Sequence, residues 1–107
     1  MRTIIVNADA LKNKEDAILR FVAGYREAVD WMYADPKAID MYAEKMKLDR
    51  DLIASLIKEF HPKEALQTDE MKDMAGIQRD AVKLKFIDAP LTQAQLAELI
   101  QMPPRNK

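Results

Sequence analysis

The chain has 107 residues, 49% of them apolar and 33% charged, with 17 Lys and Arg set against 18 Asp and Glu. That length and balance suit a single globular domain over 1–107, closing in a tail at 103–107, and exclude the disordered and membrane-spanning classes. A formal net charge of -1 supplies no field to draw the chain to nucleic acid or an anionic bilayer, and the absence of cysteine removes disulfides, thiol chemistry and cysteine zinc sites.

The sequence opens Met1-Arg2-Thr3-Ile4-Ile5-Val6-Asn7. Its apolar run is far shorter than the apolar segment of a signal peptide, so the chain is expected to carry no export signal of its own. No stretch approaches the roughly 20 apolar residues of a membrane span. The β-branched run ending in Asn7-Ala8-Asp9 predicts one short N-terminal β-strand. A lone strand needs a partner for its ladder hydrogen bonds, and the rest of the sequence offers none.

About five helices are expected after it. Asn13 suits a helix cap, with Glu15 and Asp16 in the positive first turn. Ile18, Phe21, Val22, Tyr25, Val29 and Met32 then recur at three- and four-residue spacing, which draws one apolar face. Gly24 sits inside this helix at a cost of about 1 kcal/mol relative to Ala, and such a residue predicts close approach by a neighbouring element. Asp35-Pro36 ends the helix and starts a second one bearing Ile39, Tyr42, Ala43 and Met46. Asp49 caps a third, with Leu52, Ile53, Leu56, Ile57 and Phe60 on its face, and His61-Pro62 closes it. Thr68-Asp69-Glu70 reads as the cap and acidic first turn of a fourth helix through Met71, Met74, Ala75, Ile77, Ala81, Val82 and Leu84. After the connector Phe86-Ile87-Asp88-Ala89-Pro90, Thr92-Gln93-Ala94-Gln95 has the form of a capping box opening a last helix through Leu96, Leu99 and Ile100. No internal repeat emerges.

Three segments together carry a family likeness: Thr3-Ile4-Ile5-Val6-Asn7, then Phe21-Val22-Ala23-Gly24-Tyr25-Arg26-Glu27-Ala28-Val29-Asp30-Trp31-Met32, then Asp35-Pro36-Lys37-Ala38-Ile39. With Tyr42-Ala43-Glu44-Lys45-Met46-Lys47-Leu48-Asp49 and the connector to Leu91, this order resembles the C-terminal part of the nitrate, sulfonate and taurine family of ABC transporter substrate-binding proteins. That family also includes binders of thiamine-pyrimidine precursors. The resemblance covers nearly the whole chain. It implies a fragment of a two-lobed α/β periplasmic-binding-protein-like fold, whose full-length parent captures a small-molecule solute in the periplasm and delivers it to an ABC permease. It also implies that this segment, lacking most of the ligand cleft, does not bind ligand alone.

The residue inventory carries the expectation that the chain is not an enzyme and uses no cofactor. His61 is the only histidine and Ser55 the only serine. They stand six residues apart in one predicted helix without nucleophile-elbow glycines, so a helix-ending His before Pro62 is the better account. The acidic groups Asp49 with Asp51, and Asp69, Glu70 and Asp73, fall at helix starts, where caps and the helix dipole explain them without a metal. Trp31, Tyr25 and Tyr33 could wall a ligand, yet their common helix favours packing, with Trp31 flanking the main stripe as a second contact surface. Met46, Met71 and Met74 fill core-facing positions. Gly24 and Gly76 both lie within helices, so no phosphate-binding loop is formed.

Two further readings remain. Residues 43–58 have the outline of a helix-turn-helix, but Asp49 and Asp51 would place negative charge where phosphates should dock. The other is a stand-alone helical interaction module that self-associates as a homo-oligomer through its helix faces and the apolar edge of Ile4, Ile5 and Val6.

Overall fold

The structure is a computed structural model and describes residues 3–105. Among the described residues there are six helices: α1 (Ala8–Ala34), α2 (Lys37–Met46), α3 (Arg50–Phe60), α4 (Lys63–Leu66), α5 (Met74–Lys83) and α6 (Gln93–Leu99). Two compact units form, Met1–Thr68 with Arg105–Lys107, and Asp69–Pro104.

The mainly helical expectation holds, but the N-terminal strand does not. Among the described residues there is no β-strand. Residues 3–7 run as irregular chain, and Asn7 turns into an N-cap whose side-chain oxygen accepts from the backbone N–H of Asp9 at 2.9 Å and of Ala10 at 3.2 Å. With no second strand among the described residues to complete a ladder, the β-branched run stays unpaired there, whereas Asn7 satisfies two donors locally. The expected α/β fragment of a two-lobed fold is overturned on the same ground, because the described residues hold no strand and so supply no part of a sheet.

Asn7 also moves the start of the first helix. α1 begins at Ala8 rather than near Asn13, and the sequence signal at Asn13 marks instead a kink, where Lys14 leaves helical angles at φ -136° and ψ 29°. From the kink α1 continues to Ala34. The Asp35-Pro36 joint works as expected: Asp35 is extended, its Oδ1 accepts from Lys37 N at 3.0 Å, and Pro36 already has helical angles.

Lys47 ends α2 in the left-handed conformation at φ 55°, with Leu48 N donating to Ala43 O at 3.0 Å, the wrapped helix end usually built on glycine. Asp49 caps α3 by accepting from Leu52 N at 2.9 Å; α3 packs on α2, and α2 in turn rests on α1. The short α4 was not expected; it forms directly after Pro62, with Glu64 in its first turn. The core of this unit consists of Val22 and Val29 from α1, Ala38 and Ala43 from α2 and Ile53 from α3.

In the second unit the helix expected from Thr68 begins later. Thr68 makes no cap hydrogen bond, and α5 starts at Met74 behind Asp73, a left-handed N-cap that accepts from Gly76 N at 3.0 Å. Lys85, at φ 61°, turns the chain out of α5, and Gln78 Oε1 accepts from Leu91 N at 2.7 Å to hold the connector. The capping box at Thr92 forms as read: Thr92 Oγ1 accepts from Gln95 N and Gln95 Oε1 accepts from Thr92 N.

Candidate functional site

Helix geometry decides which side chains are meant to face inward. At 100° per residue, Ile18, Val22, Tyr25, Arg26, Val29 and Tyr33 share one arc of α1. Val22, Arg26 and Val29 are buried there, and Ile18, Tyr25 and Tyr33 are half-buried. This is narrower than the stripe read from the sequence. Phe21 and Met32 lie off it, 62% and 42% exposed.

The hydroxyls of two tyrosines on this arc tie α1 to its neighbours. Tyr25 Oη donates to Leu66 O at 2.8 Å, and Tyr33 Oη donates to His61 O. Both tyrosines are thereby explained by packing. Trp31 is not part of that arrangement: it is 43% exposed, and its indole N–H donates to Asp35 Oδ2 at 3.2 Å.

The inward faces of α2 and α3 are only partly covered. Ile39, Tyr42 and Met46 share an arc with buried Ala38 and Ala43, yet Tyr42 and Met46 are each 49% exposed. Leu52, Leu56 and Phe60 flank buried Ile53 on α3 and are exposed as well. Apolar surface is worth about 25 cal/mol for each Å² removed from water, so these faces retain a large unused capacity for burial. In the second unit, Ile77, Leu84, Phe86 and Leu99 are exposed, and the only buried residue is Gly76.

One charged cluster escaped the sequence reading. Asp30, on α1, accepts from Lys63 Nζ at Oδ1 and from Arg105 at Oδ2, both at 2.7 Å. The two cations, Lys63 first, hold its carboxyl below the ordinary value. Buried Arg26 lies one turn earlier on the same helix. The only sequence signal was the i, i+4 spacing of Arg26 and Asp30; their partners come from distant parts of the chain.

The remaining candidate residues are placed as follows. Ile5 is 92% exposed, Val6 is exposed and Ile4 half-buried, so this segment presents apolar side chains but no ladder edge. His61 is the C-cap of α3, and Ser55 is exposed on the same helix. Asp49 and Asp73 serve as caps, Glu70 pairs with Lys72 at 3.1 Å, and Asp51 lies 3.6 Å from Arg50. Arg50 is held at 2.5 Å by Asp40, which raises its pKa and ties up the one base at the start of the would-be recognition helix. Among the described residues no group of three or more His, Asp or Glu converges as a metal site, and no helix is long and apolar enough to cross a membrane.

Comparison with protein-family models, with curated proteins and with solved structures finds no match to this chain.

Proposed function

We infer that this chain is a helical segment of an ABC importer's solute-binding protein, of the kind that captures nitrate, sulfonates, taurine or related small organic solutes. Its parent would act in the periplasm and hand its solute to an ABC permease. The segment contributes helices and packing surface, performs no reaction and needs no cofactor.

The observation that carries this reading is the partly covered core. Tyr42, Met46, Leu52, Leu56 and Phe60 sit on the inward arcs of α2 and α3 and remain exposed, as expected of helices whose cover comes from elsewhere in a larger protein. The resemblance read from the sequence, less the opening strand that does not form, supplies the transport assignment, and its joints at Asp35-Pro36, at 47–49 and at 86–91 separate or precede helices.

The coding DNA on either side, together with calorimetry, tests this reading. It expects an in-frame stretch encoding the remainder of a solute-binding protein. It also expects no saturable heat when the 107-residue chain is titrated at high micromolar concentration with nitrate, alkylsulfonates or pyrimidine precursors. Flanking stop codons with an unrelated promoter, or tight solute binding by the chain alone, would overturn it.

The second reading is the self-associating helical module. The exposed outward face of α1, with Phe21 and Trp31 on it, favours it. A stand-alone reading frame combined with concentration-dependent association selects this reading over the first.

A further inference from the structure

We propose that the outward face of α1 is a pairing surface for a second copy of this chain, joined antiparallel. Ala17, Phe21, Gly24, Ala28 and Trp31 follow one another at spacings of four, three, four and three residues, the 3.5-residue repeat of a helix–helix seam. All five are exposed, and their arc lies about 130° around the helix from the buried one. At Gly24, which the sequence marks for a close neighbour, nothing lies within 4 Å of the position a Cβ would occupy. Among the described residues of its own unit, none fills the space that this glycine leaves open.

Size and charge select a second copy and its direction. In an antiparallel pair with Phe21 of each helix opposite the partner's Gly24, each large side chain enters the notch left by the smallest residue, and Ala17 meets the partner's Ala28. A parallel pair would instead stack Phe21 on the partner's Phe21 and glycine on glycine. Arg20 and Glu27 border the seam on the same side. The antiparallel register sets Arg20 against the partner's Glu27 and Glu27 against the partner's Arg20, two opposite-charge pairs related by the twofold axis. Arg20 now bonds Asp16 at 2.7 Å with both side chains largely exposed, a contact weak enough to be shared or exchanged. At its Trp31 end, the indole bond to Asp35 holds the ring on the seam. One helix face per copy makes a small interface, of the class that dissociates in the micromolar range.

This proposal rests on the self-associating reading, to which it gives a surface and a register, and not on the transport reading, since it concerns two identical chains and its test uses no solute. Sedimentation equilibrium from about 1 to 200 μM is expected to show a monomer–dimer equilibrium. Emission from Trp31, the single tryptophan, should move to the blue as dimer forms. Gly24→Leu fits the monomer, where the space is open, and improves helix propensity, so its circular dichroism should be undiminished while dimer affinity falls by about tenfold or more. Glu27→Arg should weaken the dimer, and adding Arg20→Glu to it should restore affinity. A chain that stays monomeric at 200 μM would overturn the proposal. So would a dimer that Gly24→Leu leaves unchanged, or a charge swap that fails to restore what Glu27→Arg lost.

Discussion

Asp73 and Gly76 are fitted to one another: the Asp73 carboxylate accepts from Gly76 N at 3.0 Å, and a Cβ on Gly76 would stand 2.2 Å from Asp73 Oδ2. The residue type at 76 thus decides whether α5 can be capped by this carboxylate. Asp73→Ala should reduce the stability of α5 by about 1 kcal/mol, because it removes the cap and leaves an alanine in the left-handed region. Asp73→Asn should be nearly neutral, since Asn both caps and tolerates those angles. Hydrogen exchange of the first-turn amides of α5 measures the difference.

Lys47 closes α2 at φ 55° without a glycine. Lys47→Gly should stabilise the chain by about 0.5–1 kcal/mol by relieving the Cβ penalty at the wrapped helix end. Thermal melting at neutral pH reads this directly.

The hydrogen bond from Tyr25 Oη to Leu66 O joins α1 to the end of α4 in a half-buried setting. Tyr25→Phe should cost about 0.5–1.5 kcal/mol in denaturant unfolding, since the ring still packs and only the hydroxyl is lost.

Asp30 carries the pH dependence. Its pKa is lowered from 3.8 by Lys63 and then Arg105, so its contribution is fully present above 3.8 and is lost as the pH falls through the lowered folded value. Asp30→Asn should therefore lower the melting temperature at pH 7, and its deficit should shrink as the pH drops below the ordinary carboxylate value. The site is solvent-facing, so added salt should also shrink the deficit at pH 7.

The joints between helices were legible in the sequence because their chemistry is local. Asp35-Pro36, Asp49 and the Thr92–Gln95 box each satisfy backbone groups within a few residues, so residue order alone implies them. The start of α1 was not legible. Residues 3–7 have strand propensity, and with no partner strand among the described residues Asn7 takes the role of cap. The start of α5 was missed for a related reason, since Thr68 offered a commoner cap signal than Asp73 in a left-handed conformation.

Burial was legible only in outline. Periodicity placed Val22, Val29 and Ile53 on inward faces, but the same rule placed Phe21, Leu56 and Phe60 there, and these are exposed. Whether a side chain is covered depends on what stands opposite, which periodicity does not encode. The cluster at Asp30 was invisible for the same reason, because Lys63 and Arg105 reach it from 33 and 75 residues away.

If the transport reading holds, a longer protein surrounds this chain, and solute retention by that longer protein, compared with the same protein lacking residues 1–107, tests the reading most directly. The account predicts saturable retention of a nitrate-, sulfonate- or pyrimidine-type solute by the longer protein, and its loss on deletion of this segment. Retention undiminished by the deletion would contradict it.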